Sequence, residues 1–142
     1  MKSLFKYSAL IYCLIFIPSS YAQVLLIVEP QQVASELSRN SLRAIFAMRT
    51  TEWPDGSAVQ VFVLEDKNNI HIAFCKEILG MFPYQLRRVW DRQVFSGTGT
   101  APTTVKTEEE MRARVAETQG AIGYITANDM DSSSVKTIGE LP

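Results

Sequence analysis

The chain has 142 residues and a mass of 15.9 kDa, with 46% apolar and 20% charged residues. That suits one globular domain and excludes a disordered or collagen-like chain. The 14 basic and 15 acidic residues nearly cancel, so no positive excess is available to hold a nucleic-acid backbone. One His and two Cys are too few for a zinc site or a disulfide framework.

The first segment reads as an address. Lys2 and Lys6 give a basic start, residues 7–17 are apolar except for Ser8, and Pro18, Ser19 and Ser20 follow. With Ser20 and Ala22 as the small residues of a cleavage site, this is a secretory signal over 1–22, cut between Ala22 and Gln23. The apolar run is too short to span a bilayer, which takes roughly 20 residues. Leu10, Ile11 and Tyr12 ahead of Cys13 are not the small residues that a lipid-anchor signal needs. The expected location is periplasmic, with no membrane span in the mature chain. Residues 23–142 carry 12 basic and 15 acidic residues, a net charge of −3, and retain Cys75 alone. An intrachain disulfide is then excluded, and Cys75 reads as a small buried hydrophobe.

In the mature chain the first element is Val24–Val28, a continuous branched run that reads as a strand covered on both faces. Leu42, Ile45 and Phe46 mark a helix, with Ser38 or Asn40 as its N-cap. Trp53-Pro54-Asp55-Gly56 is a turn. Val59–Leu64 is the second strand. Asn68 and Asn69 open a helix on which Ile70, Phe74 and Ile78 recur four apart, and Gly80 closes it. Pro83 starts a further helix through Leu86, Val89, Trp90 and Val94. Ser96–Pro102 reads as a loop. Thr107 and Glu110 form a capping box for a helix that runs to about Thr118. Ala121–Ile125 is the third strand, and Val135–Ile138 a short fourth. The alternation predicts an α/β sheet with helices on its faces and no internal domain boundary.

Few residues carry chemistry. His71 falls among Phe74, Cys75 and Ile78 on the helix and reads as a core histidine; no second His supports a catalytic triad. His71 and Cys75 are spaced for a metal, but two ligands make a weak site, and none is assigned. Glu108, Glu109 and Glu110 read as compensation for a helix dipole. Two groups could hold an anion. Ser96, Gly97 and Thr98 offer small side chains and free amides, without the Lys of a nucleotide-binding loop. Asn68 and Asn69 stand at a helix start, where N-capping competes with anion binding. No cofactor is expected.

Four segments together carry a resemblance. They are LSRNSLRAIF (37–46), WPDG (53–56), the helix bearing Phe74 and ending in ILGM (78–81), and Trp90 followed by FSGTGTAP (95–102) and TQGAIGYI (118–125). This resembles the second lobe of phosphate-type periplasmic solute-binding proteins of ABC transporters, over nearly all of the mature chain. The resemblance implies a single three-layer lobe of the type 2 periplasmic-binding-protein-like fold, with a central mixed sheet and helices on both faces. It also implies that Val24–Val28 is the strand that enters this lobe from a first one. In that family an Arg and a Ser-Gly-Thr at the start of the Phe-bearing helix help to hold phosphate. Aligned through Phe74, the Ser-Gly-Thr positions hold Asn68, Asn69 and Ile70, and the arginine region holds Leu64, Glu65 and Asp66. The expected function is thus a non-catalytic binding or interaction module with most phosphate ligands replaced. Its partner is an envelope protein or a second copy, with Trp53, Phe82 and Tyr84 as exposed anchors. The alternative is a weak binder of phosphate or another small oxyanion that works as a dimer.

Overall fold

A computed structural model describes residues 23–31, 37–129 and 136–138. The signal expected over 1–22, with Cys13 and Ala22, lies outside them, as does Val135. In chain order the elements are β1 (Val24–Val28), α1 (Arg39–Phe46), β2 (Gln60–Leu64), α2 (Asn69–Ala73) running into a π-helical segment (Phe74–Leu79), α3 (Pro83–Ser96), β3 (Thr103–Val105), α4 (Glu108–Glu117), β4 (Ala121–Thr126), a 3₁₀ turn (Ala127–Asp129) and β5 (Lys136–Ile138). The strands form one mixed sheet in the order β3-β2-β4-β1-β5. β2 runs parallel to β3 and β4, while β1 is antiparallel to β4 and β5.

Helices cover both faces. On one, Met111 and Val115 of α4 press against Gly123 of β4. A Cβ at Gly123 would stand 2.5 Å from Met111 Sδ and 3.0 Å from Val115 Cγ2, so the missing side chain sets the approach of helix to sheet. The Met111 chain can move aside, and Gly123→Ala is expected to cost about 1–2 kcal/mol in a urea titration. On the other face Tyr124 packs against Phe46 of α1 and Phe74 of the π segment, with ring centroids 6.1 and 3.9 Å away. Behind them Trp90 of α3 is fully buried, and its Nε1 donates to Phe46 O at 2.8 Å. This is the three-layer α/β lobe with a mixed sheet that the sequence and the resemblance imply.

Local chemistry explains most element ends. Ser38 Oγ accepts from Ser41 N and starts α1, and Asn40 lies inside the helix. Phe82 N donates to Gln85 Oε1 at 2.8 Å as α3 begins, and Pro83 fills its first turn. Gly80 and Gly97 end their helices at φ +63° and +71°.

Three elements differ from expectation. The helix over 68–80 is not α-helical throughout. From Phe74 it widens, and Gly80 N and Met81 N both bond to Cys75 O. The wider turn shifts the buried set to His71, Phe74, Cys75 and Leu79, and leaves Ile78 half-buried. Arg43 Nε donates to Leu79 O at 2.5 Å and Arg39 to Glu77 O at 3.3 Å, which satisfies carbonyls at the end of the segment. β3 was not expected; its three residues are too few to show a period, and they hold by parallel pairing with Phe62–Leu64. Finally, Trp53 is buried, not exposed. Its Nε1 donates to Gly120 O at 2.9 Å, so it closes the core beneath the WPDG turn.

Candidate functional site

Three parallel strands, β2, β3 and β4, deliver their C-terminal ends to one edge of the sheet. In open α/β sheets that edge is where ligands bind. After β2 come Glu65, Asp66, Lys67 and Asn68; after β3 come Lys106 and Thr107, leading into α4.

Several polar groups of this edge are engaged within the protein. Asn68 Oδ1 accepts from Ile70 N at 2.8 Å, so the cap occupies an amide that would otherwise face an anion. Asp66 sits in the fork of Arg87, with Arg87 Nε donating to Oδ2 at 2.9 Å and NH2 to Oδ1 at 2.8 Å. That hydrogen-bonded pairing holds the Asp66 carboxyl below the usual carboxylate range. The Arg87 guanidinium also lies 4.9 Å from the Trp90 ring. At the start of α4, Thr107 Oγ1 accepts from Glu110 N at 3.1 Å and Glu110 Oε2 accepts from Lys106 N at 2.9 Å. Glu108 Oε1 accepts from Thr126 N. The two helix starts are thus capped from within, and carboxylates outnumber cations along the edge.

Beneath the edge lies a buried polar chain. Tyr124 Oη accepts from Leu64 N at 2.9 Å and stands 2.5 Å from His71 Nδ1. Every group is satisfied only if the tyrosine donates to Nδ1, which assigns the His71 proton to Nε2. Nε2 faces Cys75 Sγ at 3.5 Å and Asp66 Oδ1 at 3.9 Å. Burial pushes the His71 pKa down, more than the nearby Asp66 raises it, and Arg87 pushes it further down. Burial also pushes the Cys75 thiol up to about 12, and it raises the Tyr124 hydroxyl well above its usual value. Among the described residues, no group of three or more His, Cys, Asp and Glu side chains is placed to hold a metal ion.

A pH dependence follows. The folded state keeps His71 neutral, whereas the unfolded chain protonates it near pH 6.5. Below that pH the unfolded state binds the extra proton, and stability falls by up to about 1.4 kcal/mol per pH unit. Melting curves from pH 8 to pH 5 are expected to show a declining midpoint below pH 6.5. The same decline should be reduced in His71→Gln.

The second expected anion group lies elsewhere. Ser96 Oγ bonds to Gln93 O at 3.2 Å and to Thr98 Oγ1 at 2.7 Å, and Gly97 ends α3. The loop feeds the N-terminal end of β3, whereas Asn68 and Asn69 stand beyond the C-terminal end of the parallel β2. Ser96, Gly97 and Thr98 therefore do not form one cradle with Asn68 and Asn69. The Asp66–Arg87 fork and the Tyr124–His71 pair were not foreseen, because their members are 21 and 53 residues apart. Nothing local in the sequence marks either.

An open depression of about 420 Å³ lies on the helical side, lined by Lys76, Gly80, Met81, Phe82 and Gln85. Phe82 and Tyr84, unlike Trp53, are exposed beside it.

No family model matches the chain, and no curated protein matches it. Solved structures do. An ABC-type phosphate transport receptor from Vibrio cholerae aligns at 17% identity with a TM-score of 0.63, covering 81% of this chain and 44% of that one. A phosphate ABC transporter substrate-binding protein from Clostridium perfringens, solved with bound phosphate, aligns at 20% identity and 0.63, covering 81% and 43%. PstS from Borrelia burgdorferi aligns at 13% identity and 0.55, covering 73% and 40%. The chain shares the fold of the matched part of these structures. The chain spans less than half the length of these structures, and the likeness extends to architecture. It bears out the resemblance read from LSRNSLRAIF, WPDG and TQGAIGYI. Among the described residues no helix is long and apolar enough for this lobe to cross a membrane.

Proposed function

We propose that this lobe is a non-catalytic, exported interaction module, and that phosphate is not its ligand. The observation that carries the reading is the self-filled strand edge. Arg87, the guanidinium that could receive an anion there, already holds Asp66 through Nε and one terminal nitrogen. Glu65 precedes that pair in the loop after β2, and Glu108, Glu109 and Glu110 follow the C-terminal end of β3 on the same edge of the sheet, so the edge is rich in carboxylates. A non-catalytic role is supported by the buried, neutral His71 and the buried thiol of Cys75, which lack the exposure and pKa of a base or nucleophile. Export rests on the pattern of residues 1–22 and on the start of β1 at Val24, just past the expected cut.

Equilibrium dialysis against radiolabelled phosphate tests the reading, with no retention expected up to millimolar concentration. Saturable retention would favour the alternative, an oxyanion-binding lobe that uses Asn68 and Asn69 or the Ser96–Thr98 loop. Asn68→Ala is expected to lower stability by about 1 kcal/mol through the lost cap, with the phosphate response unaltered. Mass spectrometry of the exported protein is expected to give Gln23 as its first residue; retention of residues 1–22 would contradict export by cleavage.

A further inference from the structure

Among the described residues no element covers the outward face of α3, and that face mixes large aromatic side chains with charged ones. Leu86 and Trp90 are buried on the inner face, while Tyr84, Arg88, Asp91 and Phe95 recur on the opposite side. Phe95 is 88% exposed, Tyr84 59% and Phe82 49%. Large aromatics at such exposure are unfavourable in water and mark contact surfaces. Those at the start of the helix are ordered. The rings of Phe82 and Tyr84 stack at 5.8 Å with planes 13° apart. Lys76 Nζ lies 5.9 Å from the Phe82 centroid and Arg88 Cζ 6.0 Å from that of Tyr84. Beside them is the depression lined in part by Gly80, Met81 and Phe82, and Arg43 donates to Gly80 O at 3.5 Å.

Charge indicates the occupant. The mature chain is net acidic, but this face is net basic: Lys76, Arg88 and Arg92 stand against Asp91 and Glu77, and Arg39 and Arg43 bond to the nearby carbonyls of Glu77, Leu79 and Gly80. We infer that the α3 face, from the Phe82–Tyr84 stack to Phe95, docks an acidic peptide segment of another protein. An apolar side chain of that segment fills the depression between Met81 and Phe82, and its carboxylates pair with Arg88 and Lys76. From Tyr84 to Phe95 the helix is about 16 Å long, which suits about five residues of extended chain. An anionic bilayer fits less well, because Asp91 sits within the stripe and Glu77 beside it, where carboxylates would meet anionic headgroups.

This inference rests on the interaction-module reading. The test is selection of a random 12-residue peptide library, displayed on phage, against the purified protein. The enriched peptides are expected to place two or more carboxylates next to an aromatic or leucine residue. A synthetic copy should bind about tenfold or more weakly to Arg88→Glu and to Tyr84→Ser. Binding to Arg114→Glu, the same charge reversal on the opposite face of the sheet, should be unaltered. Both α3 substitutions lie at exposed positions, and unchanged melting curves would confirm that the variants remain folded. The inference is overturned if the enriched peptides are basic or uncharged, or if Arg88→Glu binds as well as the parent. It is also overturned if phosphatidylglycerol vesicles sediment the protein in an Arg88-dependent manner, or if Tyr84→Ser dissolves a dimer seen by ultracentrifugation. Phosphate retention in dialysis would overturn the proposed function without altering the peptide result, so the two failures are distinct.

Discussion

Replacing Gly120 by alanine is expected to lower the stability of the lobe by about 4 kcal/mol. Gly120 links α4 to β4 at φ +71°, a left-handed conformation that costs an L-residue about 1–2 kcal/mol. The larger part is steric. A Cβ there would stand 2.1 Å from Ala58 O, a backbone atom that no rotamer change can move away. The contact is built into the fold on several sides. Gly120 O accepts from Trp53 Nε1 at 2.9 Å and from Gln60 N at 3.0 Å, so the turn before β2 and the start of β4 are tied to the same atom. Relief would shift Trp53, the start of β2, or both. Against a total of about 5–15 kcal/mol for a domain of this size, the variant should unfold at markedly lower urea. A loss under about 1 kcal/mol would contradict this packing.

Tyr124→Phe is the second large effect, and its cause is polar. The ring stack on Phe74, 3.9 Å away with planes 7° apart, is kept by phenylalanine. The hydroxyl is lost, and with it the acceptor for Leu64 N and the donor to His71 Nδ1. Two buried groups are left without partners, so a loss of about 2–3 kcal/mol is expected in urea unfolding. The tryptophan bands of the near-UV circular dichroism should stay close to those of the parent, because the packing around Trp53 and Trp90 is intact, while the tyrosine contribution falls. A loss below about 0.5 kcal/mol would mean that the two groups find other partners.

Both predictions depend on contacts that the sequence did not disclose, and the pattern is consistent. Features written in a local period were legible. The branched run Val24–Val28 became β1, the Leu42, Ile45 and Phe46 spacing became α1, and Thr107 with Glu110 capped α4. His71 and Cys75 were read as core residues from the apolar side chains around them, and both are buried. What was missed depends on tertiary contact. Thr103–Val105 is a strand because β2 lies beside it. The π turn at Phe74 arises in a sequence whose four-residue spacing of Ile70, Phe74 and Ile78 suits an ordinary helix. Trp53 follows a turn signal that favours exposure, but its indole finds Gly120 O across the chain. At the strand edge the sequence showed that Asn68, Asn69 and Ile70 stand where the resemblance places Ser-Gly-Thr. It did not show that Asp66 pairs with Arg87, since the fork depends on how α3 packs against the loop after β2.

That fork also makes the central claim measurable. If Asp66 already occupies the Arg87 guanidinium and the caps occupy the helix starts, phosphate meets few donors and many carboxylates at this edge. The direct measurement is a thermal-unfolding scan of the purified protein in millimolar phosphate, with sulfate at equal ionic strength as the reference. Sulfate matches the general stabilisation that such salts give to folded chains. The account predicts equal midpoints in the two salts. A ligand at a hundred times its dissociation constant would add about 2.7 kcal/mol and raise the midpoint by several degrees. A rise of that size in phosphate but not in sulfate would show that the lobe still binds phosphate, and it would contradict the account.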